Sequence, residues 1–359
     1  MAEGVSRNAG AAGFMSAYQV IRRWLLYLDE RVLVPVFGSS RRLASLYYAL
    51  ISTKFGREHR AVLAGRSAYY RSVSSPQDSS FMLRRNIHRL EKGLIMSPRK
   101  PIFAADYIEE TVSQFQVLKA SGGDEAELQW ASDVLSDYFA AVERDATISR
   151  AFESFAAALQ SSTDYKAHAP YSSDDRELNA LSYEDFYALC RRRRSVRWYE
   201  QKAVPRSVID KAVAAAAQAP SACNRQPFRF SVFDNSDEAA QVGAITQGTA
   251  GFAQNFPCLI VVVGDLSAYP FERDRHLIYV DAALASMQLM LAFETLGLSS
   301  CPINWPDIEV MEREMADRLR LTSYERPIML ISVGYPASEG LIPFSQKRPV
   351  DSLIRWESE

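Results

Sequence analysis

Cysteine is scarce in this sequence, and its spacing excludes two architectures. Cys190, Cys223, Cys258 and Cys301 are scattered singly among 359 residues, with no C-x-x-C pair and no neighbouring histidine. Neither a disulfide framework nor a metal knuckle follows from that spacing; no metal is expected, and the thiols are read as buried groups in a reducing cytoplasm. Excess charge is missing too. The formal net charge is -2, so there is no global basic field, and nucleic acid is not an expected partner. No stretch reaches the roughly eighteen apolar residues of a membrane span. The opening MAEGVSRNAG has no basic patch running into an apolar core, so a cytoplasmic location is expected. No G-x-G-x-x-G follows a strand pattern, so a separate dinucleotide-binding fold is not indicated.

What is present is the composition of a globular protein: 48% hydrophobic, 11% aromatic and 23% charged residues. The length suits two or three domains, each able to bury its own core. Charge is balanced overall but not locally. Residues 1–100 hold 17 Lys/Arg against 6 Asp/Glu, and residues 101–185 hold 5 against 17. Two stretches of one helical module that neutralise each other account for this; a basic face for an anionic surface is the alternative.

Hydrophobic spacing predicts helices over Phe14–Leu28, from Arg41 to Leu50, and over Phe81–Leu94, Ala105–Leu118, Asp124–Arg144 and Ile148–Leu159. A Ser-rich break from Ser72 to Ser80 interrupts them. Residues 1–180 therefore read as a helical module and linker, the linker being QSSTDYKAHAPYSSDDRE. Residues 181–359 mix helices with strands. A helix from Pro205 is stopped at Pro220, Phe228–Asp234 and CLIVVVG are strands, a long helix covers Leu277–Leu296, and PIMLISVGYP supplies another strand. The fold class is α+β, an all-helical domain followed by a mixed sheet flanked by helices.

Two segments carry chemistry. RRRRSVR, Arg191–Arg197, can bind an anion, because guanidinium groups hold phosphate oxygens bidentately and a hydroxyl adds a bond; a solvated basic face is the plain alternative. APSACNRQPF, Ala219–Phe228, sets amide side chains in a turn where they can read a heterocycle, or is simply a helix-to-strand loop.

Together, in this order and spacing, they resemble the FMN-dependent nitroreductase family: R-x-S-x-R, a helix, then P-S-x-x-N-x-Q-P-aromatic. The similarity continues through DAALASMQLMLAFETLGLSSCPINW and ends with QKRPVDSLI, covering residues 183–359. The resemblance implies that Arg193 and Ser195 contact the FMN phosphate and ribityl end, with Arg194 assisting, and that Arg197 lies near the pyrimidine edge. Pro220, Ser221 and Asn224, with Gln226 in the same loop, would come from a neighbouring subunit, making a homodimer. Lys347 and Arg348 would complete the phosphate clamp. Pro302, Ile303 and Asn304 would lie along one flavin face, while Trp305, where the family often has a small residue, would reshape the substrate site. The implied activity is ping-pong hydride transfer from NAD(P)H through flavin to a small-molecule acceptor, with no side-chain nucleophile or acid named.

The helical module lies outside that resemblance. His88, Arg89, Glu91 and Lys92 crowd one or two turns of NIHRLEKGL, either as an ion-paired surface helix or as a polar patch facing substrate. His59, His168 and His276 are read as surface or packing residues. The connection DLSAYPFERDRH is too short to cover a flavin, so the module is the candidate cover. A competing account is a flavin-binding interaction protein that docks on a partner or a membrane surface through its helices, for which the arginine-bearing helix Phe14–Leu28 is the motive.

Overall fold

A computed structural model describes residues 17–74, 80–158 and 168–357; Phe14, most of the Ser-rich break and part of the linker lie outside the described residues. The chain divides into two compact units between Arg60 and Ala61, so the boundary expected near residue 180 does not coincide with the division. Ala61 and Val62 share a buried cluster with Leu266, Ala268, Tyr269 and Ile278, and this apolar contact joins helices to sheet within residues 61–359.

The first unit holds α1 (Ala17–Leu28), α2 (Val34–Gly38) and α3 (Arg41–Leu46), with single π-helical turns at Asp29–Leu33 and Tyr47–Ile51. The division falls inside α4 (Gly56–Ser74), a helix that the periodicity did not predict.

In the second unit, α5 (Phe81–Leu94), α6 (Ile108–Ala120), α7 (Glu125–Ala141) and α8 (Ala146–Ala158) enclose a core of their own. Leu83, Ile87 and Leu90 recur at helical spacing on α5 and meet Phe115, Leu135 and Phe155. Asp124 caps α7 by accepting from the Glu127 amide at 2.8 Å. The opposite charges of the two stretches meet here, Arg84 with Glu127 at 3.6 Å and Arg89 with Asp106 at 3.8 Å. Internal neutralisation thus accounts for part of the asymmetry.

There follow α9 (Tyr183–Arg192), α10 (Arg206–Ala216), β1 (Phe228–Phe233), α11 (Ser236–Gly243), β2 (Cys258–Asp265), α12 (Leu277–Thr295), β3 (Ser299–Asn304), α13 (Glu309–Leu319) and β4 (Glu325–Gly334). The strands form an antiparallel sheet in the order β1-β2-β4-β3, and a parallel bridge from Ser195 to Ser300 adds the mixed character. CLIVVVG is apolar throughout because β2 is covered on both faces. Cys258, Ile260 and Val262 face the layer of α10 and α12, while Leu259, Val261 and Val263 face Ala239 of α11 and Met315 of α13. The architecture is α+β, with a helical part ahead of the sheet.

Among the described residues, Glu272–Thr295 is long and apolar enough to cross a membrane, although no apolar run of that length was read from the sequence. The helix is the layer against β2: Ala282, Leu289 and Phe293 are fully buried with Ile260 and Val262. Its apolarity serves the domain core.

The connection between β2 and α12 is held by α4. A Cβ on Gly65 would lie 2.8 Å from the Leu266 backbone, so the helix approaches as closely as it does because this residue has no side chain. Next to it, Arg66 Nε donates to the Pro270 carbonyl at 2.9 Å and its guanidinium pairs with Glu272.

Candidate functional site

The arginine run ends α9 and turns alongside β3. The Val196 amide donates to the Ser300 carbonyl at 3.1 Å, and the buried Tyr199 hydroxyl donates to the Val196 carbonyl at 2.6 Å, so the turn is pinned at both ends. Arg193, Ser195 and Arg197 are half-buried there, converging on Cys301. Burial pushes the Cys301 thiol up, while Arg197, a hydrogen bond with Ser195, and Arg193 pull it back. Arg197 also faces the Phe252 ring at 5.7 Å.

Glu294, near the end of α12, anchors this segment. Its side chain is 2% exposed, and Arg192 Nε reaches it at 3.2 Å. Burial raises its pKa, opposed by a bond from Ser299 and the charges of Arg192 and Arg193. Arg193 Nε is buried and has no hydrogen-bond partner among the described residues. A buried cationic donor left open is a position for an anion. Arg194 Nη2 donates to the Pro343 carbonyl at 3.0 Å, which joins the arginine run to the exposed carboxy-terminal segment. Lys347 and Arg348 lie further along that segment, exposed, with Arg348 bonded to the Ser352 carbonyl at 2.8 Å.

The second motif is a strained loop. Cys223, Asn224 and Gln226 all have φ between 51° and 53°, left-handed values that side-chain-bearing residues hold only where the surroundings enforce them. Asp281, near the start of α12, is one enforcer. It accepts from the Ser221 hydroxyl at 2.6 Å and the Ala222 amide at 3.0 Å. Ser221 Oγ in turn accepts from the Gln226 amide at 2.7 Å. Arg84 of α5 is the other, donating to the Asn224 carbonyl at 2.8 Å and to Gln226 Oε1 at 3.2 Å.

A sequence model of the Nitroreductase family matches residues 190–249 and 236–335, spanning both motifs and the helix between them. Residues 190–335 form a nitroreductase-family domain. Relatives of this chain include iodotyrosine deiodinase 1 of Pongo abelii, 24% identical over 230 residues, covering 54% of this chain and 77% of that one. A protein of Bacillus subtilis named as a candidate NAD(P)H nitroreductase is 25% identical over 214 residues, covering 49% of this chain and 100% of the relative. Among solved structures, an FMN-dependent nitroreductase of Clostridium difficile is 24% identical, covers 48% of this chain and 99% of its own, and has a TM-score of 0.40.

In the nitroreductase domain the expected residues fall into two groups. Arg193, Ser195 and Arg197 meet the start of β3 at Ser300 and Cys301, and the same strand carries Pro302, Ile303 and Asn304, of which Ile303 is buried and Asn304 exposed. Pro220, Ser221, Asn224 and Gln226 form the strained loop at the other end of α12. Ser221 and Gln226 spend their side chains holding that loop, whereas the half-buried Asn224 side chain makes no hydrogen bond among the described residues.

One expectation is corrected. Trp305 does not reshape an open site: it is 8% exposed, belongs to the core under the sheet, and donates from Nε1 to Glu312 at 2.6 Å. Glu312 is itself paired with buried Arg326 at 3.4 Å, which satisfies the indole nitrogen inside. Of the two readings of His88, Arg89, Glu91 and Lys92, the ion-paired helix describes their contacts. His88 contacts Glu91 at 3.3 Å, Glu91 accepts from Trp130 Nε1 at 2.9 Å, Arg89 lies over the Tyr107 ring at 3.6 Å, and Lys92 is exposed. The residue of α5 that reaches the nitroreductase motif is Arg84, a turn earlier. Sequence reasoning also missed Asp281 and Glu294. The available signal was that these are the only charged residues in LIYVDAALASMQLMLAFET, and a carboxylate in an apolar helix needs a partner.

Proposed function

We propose that this chain is a homodimeric FMN-dependent oxidoreductase that draws on NAD(P)H and reduces a small-molecule acceptor. One observation carries this. The arginine segment and the strained loop are anchored at Glu294 and Asp281, 13 residues apart on one helix, hence roughly 20 Å apart along its axis. Starting at Val280, next to Asp281, and running toward Glu294, Val280, Leu284 and Met287 form an exposed apolar stripe at i, i+4, i+7. Two copies joined through that stripe about a two-fold axis, with their α12 helices antiparallel, bring the loop of one beside the arginines of the other. Each subunit then completes its neighbour's site.

The residues fit FMN. Arg193, with its open buried Nε, and Ser195 would hold the phosphate together with Arg194 and the tail cations Lys347 and Arg348. Arg197 would stand at the pyrimidine edge, Pro302, Ile303 and Asn304 along one face, and the partner subunit's Asn224 at the ring. When bound, FMN supplies alternating hydride acceptance from NAD(P)H and donation to the acceptor. The fixed charge of Arg197 raises the potential of a ring that gains negative charge on reduction. Arg84 and Asp281 keep the loop in its strained shape so that Asn224 is presented without rearrangement.

Purified protein should absorb near about 450 nm as bound oxidised flavin does. NADH or NADPH should bleach it anaerobically, and a nitroaromatic, quinone or halogenated tyrosine should restore the colour. Protein that takes up no FMN, or whose colour neither nicotinamide bleaches, overturns the proposal. For the shared site, Leu284→Glu with Met287→Glu should yield a monomer by sedimentation and lose FMN with it. A monomeric variant that retains FMN tightly contradicts the two-subunit arrangement.

A further inference from the structure

The unit ending at Arg60 has almost no interior of its own. Tyr47 is buried, its hydroxyl donating to Asp29 Oδ1 at 2.5 Å. By contrast Val20, Ile21, Leu25 and Phe55 are exposed, as are Trp24 at 65% and Leu50 at 78%. An apolar surface this extensive on so small a unit is a surface that something covers.

Its charge indicates what. Residues 17–60 contain eight Lys/Arg against three Asp/Glu. At 100° per residue, Val20, Ile21, Trp24, Leu25 and Leu28 share one arc of α1, and Arg22 and Arg23 lie on the opposite arc on either side of Leu26. The same pairing of exposed cation and exposed apolar group recurs along the unit: Arg31 with Val32 in the first π-helical turn, and Arg41 and Arg42 with Leu46 in α3.

We propose that this unit docks on an anionic lipid bilayer, with α1 lying in the interfacial plane. The apolar arc enters the boundary of the acyl chains, Trp24 and Tyr27 sit at headgroup level, and the arginines meet lipid phosphates. The helical run of α1 continues into Asp29, Glu30 and Arg31, and charges at that point hold it at the interface rather than in the hydrocarbon core. A protein partner would demand one shaped, contiguous groove-filling face. Here apolar and cationic groups are instead distributed over α1, the π-helical turns and α3, a pattern that a fluid charged surface accommodates and that electrostatic attraction to anionic headgroups strengthens. The proposal concerns residues 17–60 alone and stands whether or not the domain carries FMN.

The test is co-sedimentation of the full chain with phosphatidylcholine vesicles with and without phosphatidylserine. Binding should require phosphatidylserine and weaken with added salt. Arg22→Gln with Arg23→Gln should weaken it by about fivefold for each arginine, and Trp24→Ala should weaken it and remove a blue shift in tryptophan emission. Flavin content and NAD(P)H oxidation of these variants should match the parent. Absence of binding to phosphatidylserine vesicles, equal binding to phosphatidylcholine alone, or undiminished binding of the double arginine variant overturns the proposal. A Trp24→Ala chain that keeps vesicle binding but changes its oligomeric state assigns the surface to a second copy instead.

Discussion

Arg193→Ala should release FMN while leaving the potential of whatever flavin remains unchanged, and Arg197→Ala should do the reverse. A charge-assisted bond to a phosphate contributes about 1.5–3 kcal/mol, so the Arg193 variant should bind FMN roughly 10- to 150-fold more weakly. Arg193 lies at the buried end of the segment beside Glu294, with its Nε open. A phosphate there is remote from the ring and is bound alike in both redox states. On the proposed arrangement Arg197 would act on the ring, where a lost preference of about 1.4 kcal/mol for the reduced state corresponds to about 30 mV in a two-electron couple. Fluorescence titration gives the affinity and equilibration with a reference dye gives the potential. An FMN-saturated Arg197→Ala protein with the parent potential would sink the assignment; recovery in Arg197→Lys would support charge as the cause.

The second large effect is expected at Arg84, which joins the helical part to the strained loop. Its guanidinium bonds the Asn224 carbonyl and Gln226 side chain, faces Glu127 at 3.6 Å, and stands 5.5 Å from the Trp130 ring. Burial already raises the Glu127 pKa, with the Arg84 charge opposing the rise. Arg84→Ala leaves that carboxylate and the Asn224 carbonyl without their partner, at a cost of about 2–4 kcal/mol. The melting temperature should fall by roughly 5–10 °C. Freed from the clamp, the three left-handed residues can relax and misplace Asn224, so FMN affinity should fall as well. Adding Glu127→Ala to Arg84→Ala should restore part of the stability but none of the affinity, separating charge burial from loop positioning. Parent FMN affinity in Arg84→Ala would show that Arg84 supports the fold alone.

The elements legible in the sequence were those whose pattern is local. Helix α5 announced its core face through Leu83, Ile87 and Leu90, β2 through its unbroken β-branched run, and α12 through its length. The short-range signature of the nitroreductase motifs likewise lay on the surface of the sequence. What escaped depends on tertiary direction. Trp305 follows β3, and linear order does not say that its indole turns inward to Glu312 rather than outward over a site. Arg84 and Asn224 are 140 positions apart, so nothing in either segment announces the bond between them. The break after Arg60 falls within a helix and leaves no compositional trace.

The seat of α4 on the connection between β2 and α12 also governs how this protein can vary. Surface connections ordinarily accept extra residues with little penalty, because lengthening one costs only a fraction of a kcal/mol in closure entropy, about 0.6 for each doubling. Residues 266–275 lack that freedom. Gly65 brings a helix against the Leu266 backbone, and Arg66 grips Pro270 and Glu272, so an added residue must either break those bonds or lift α4 away from Tyr269 and Ile278. The exposed residues 350–357, past the two tail cations, have no such neighbour among the described residues. Growth by insertion is therefore channelled away from the place where the chain passes beneath its own helices and toward its carboxy-terminal end.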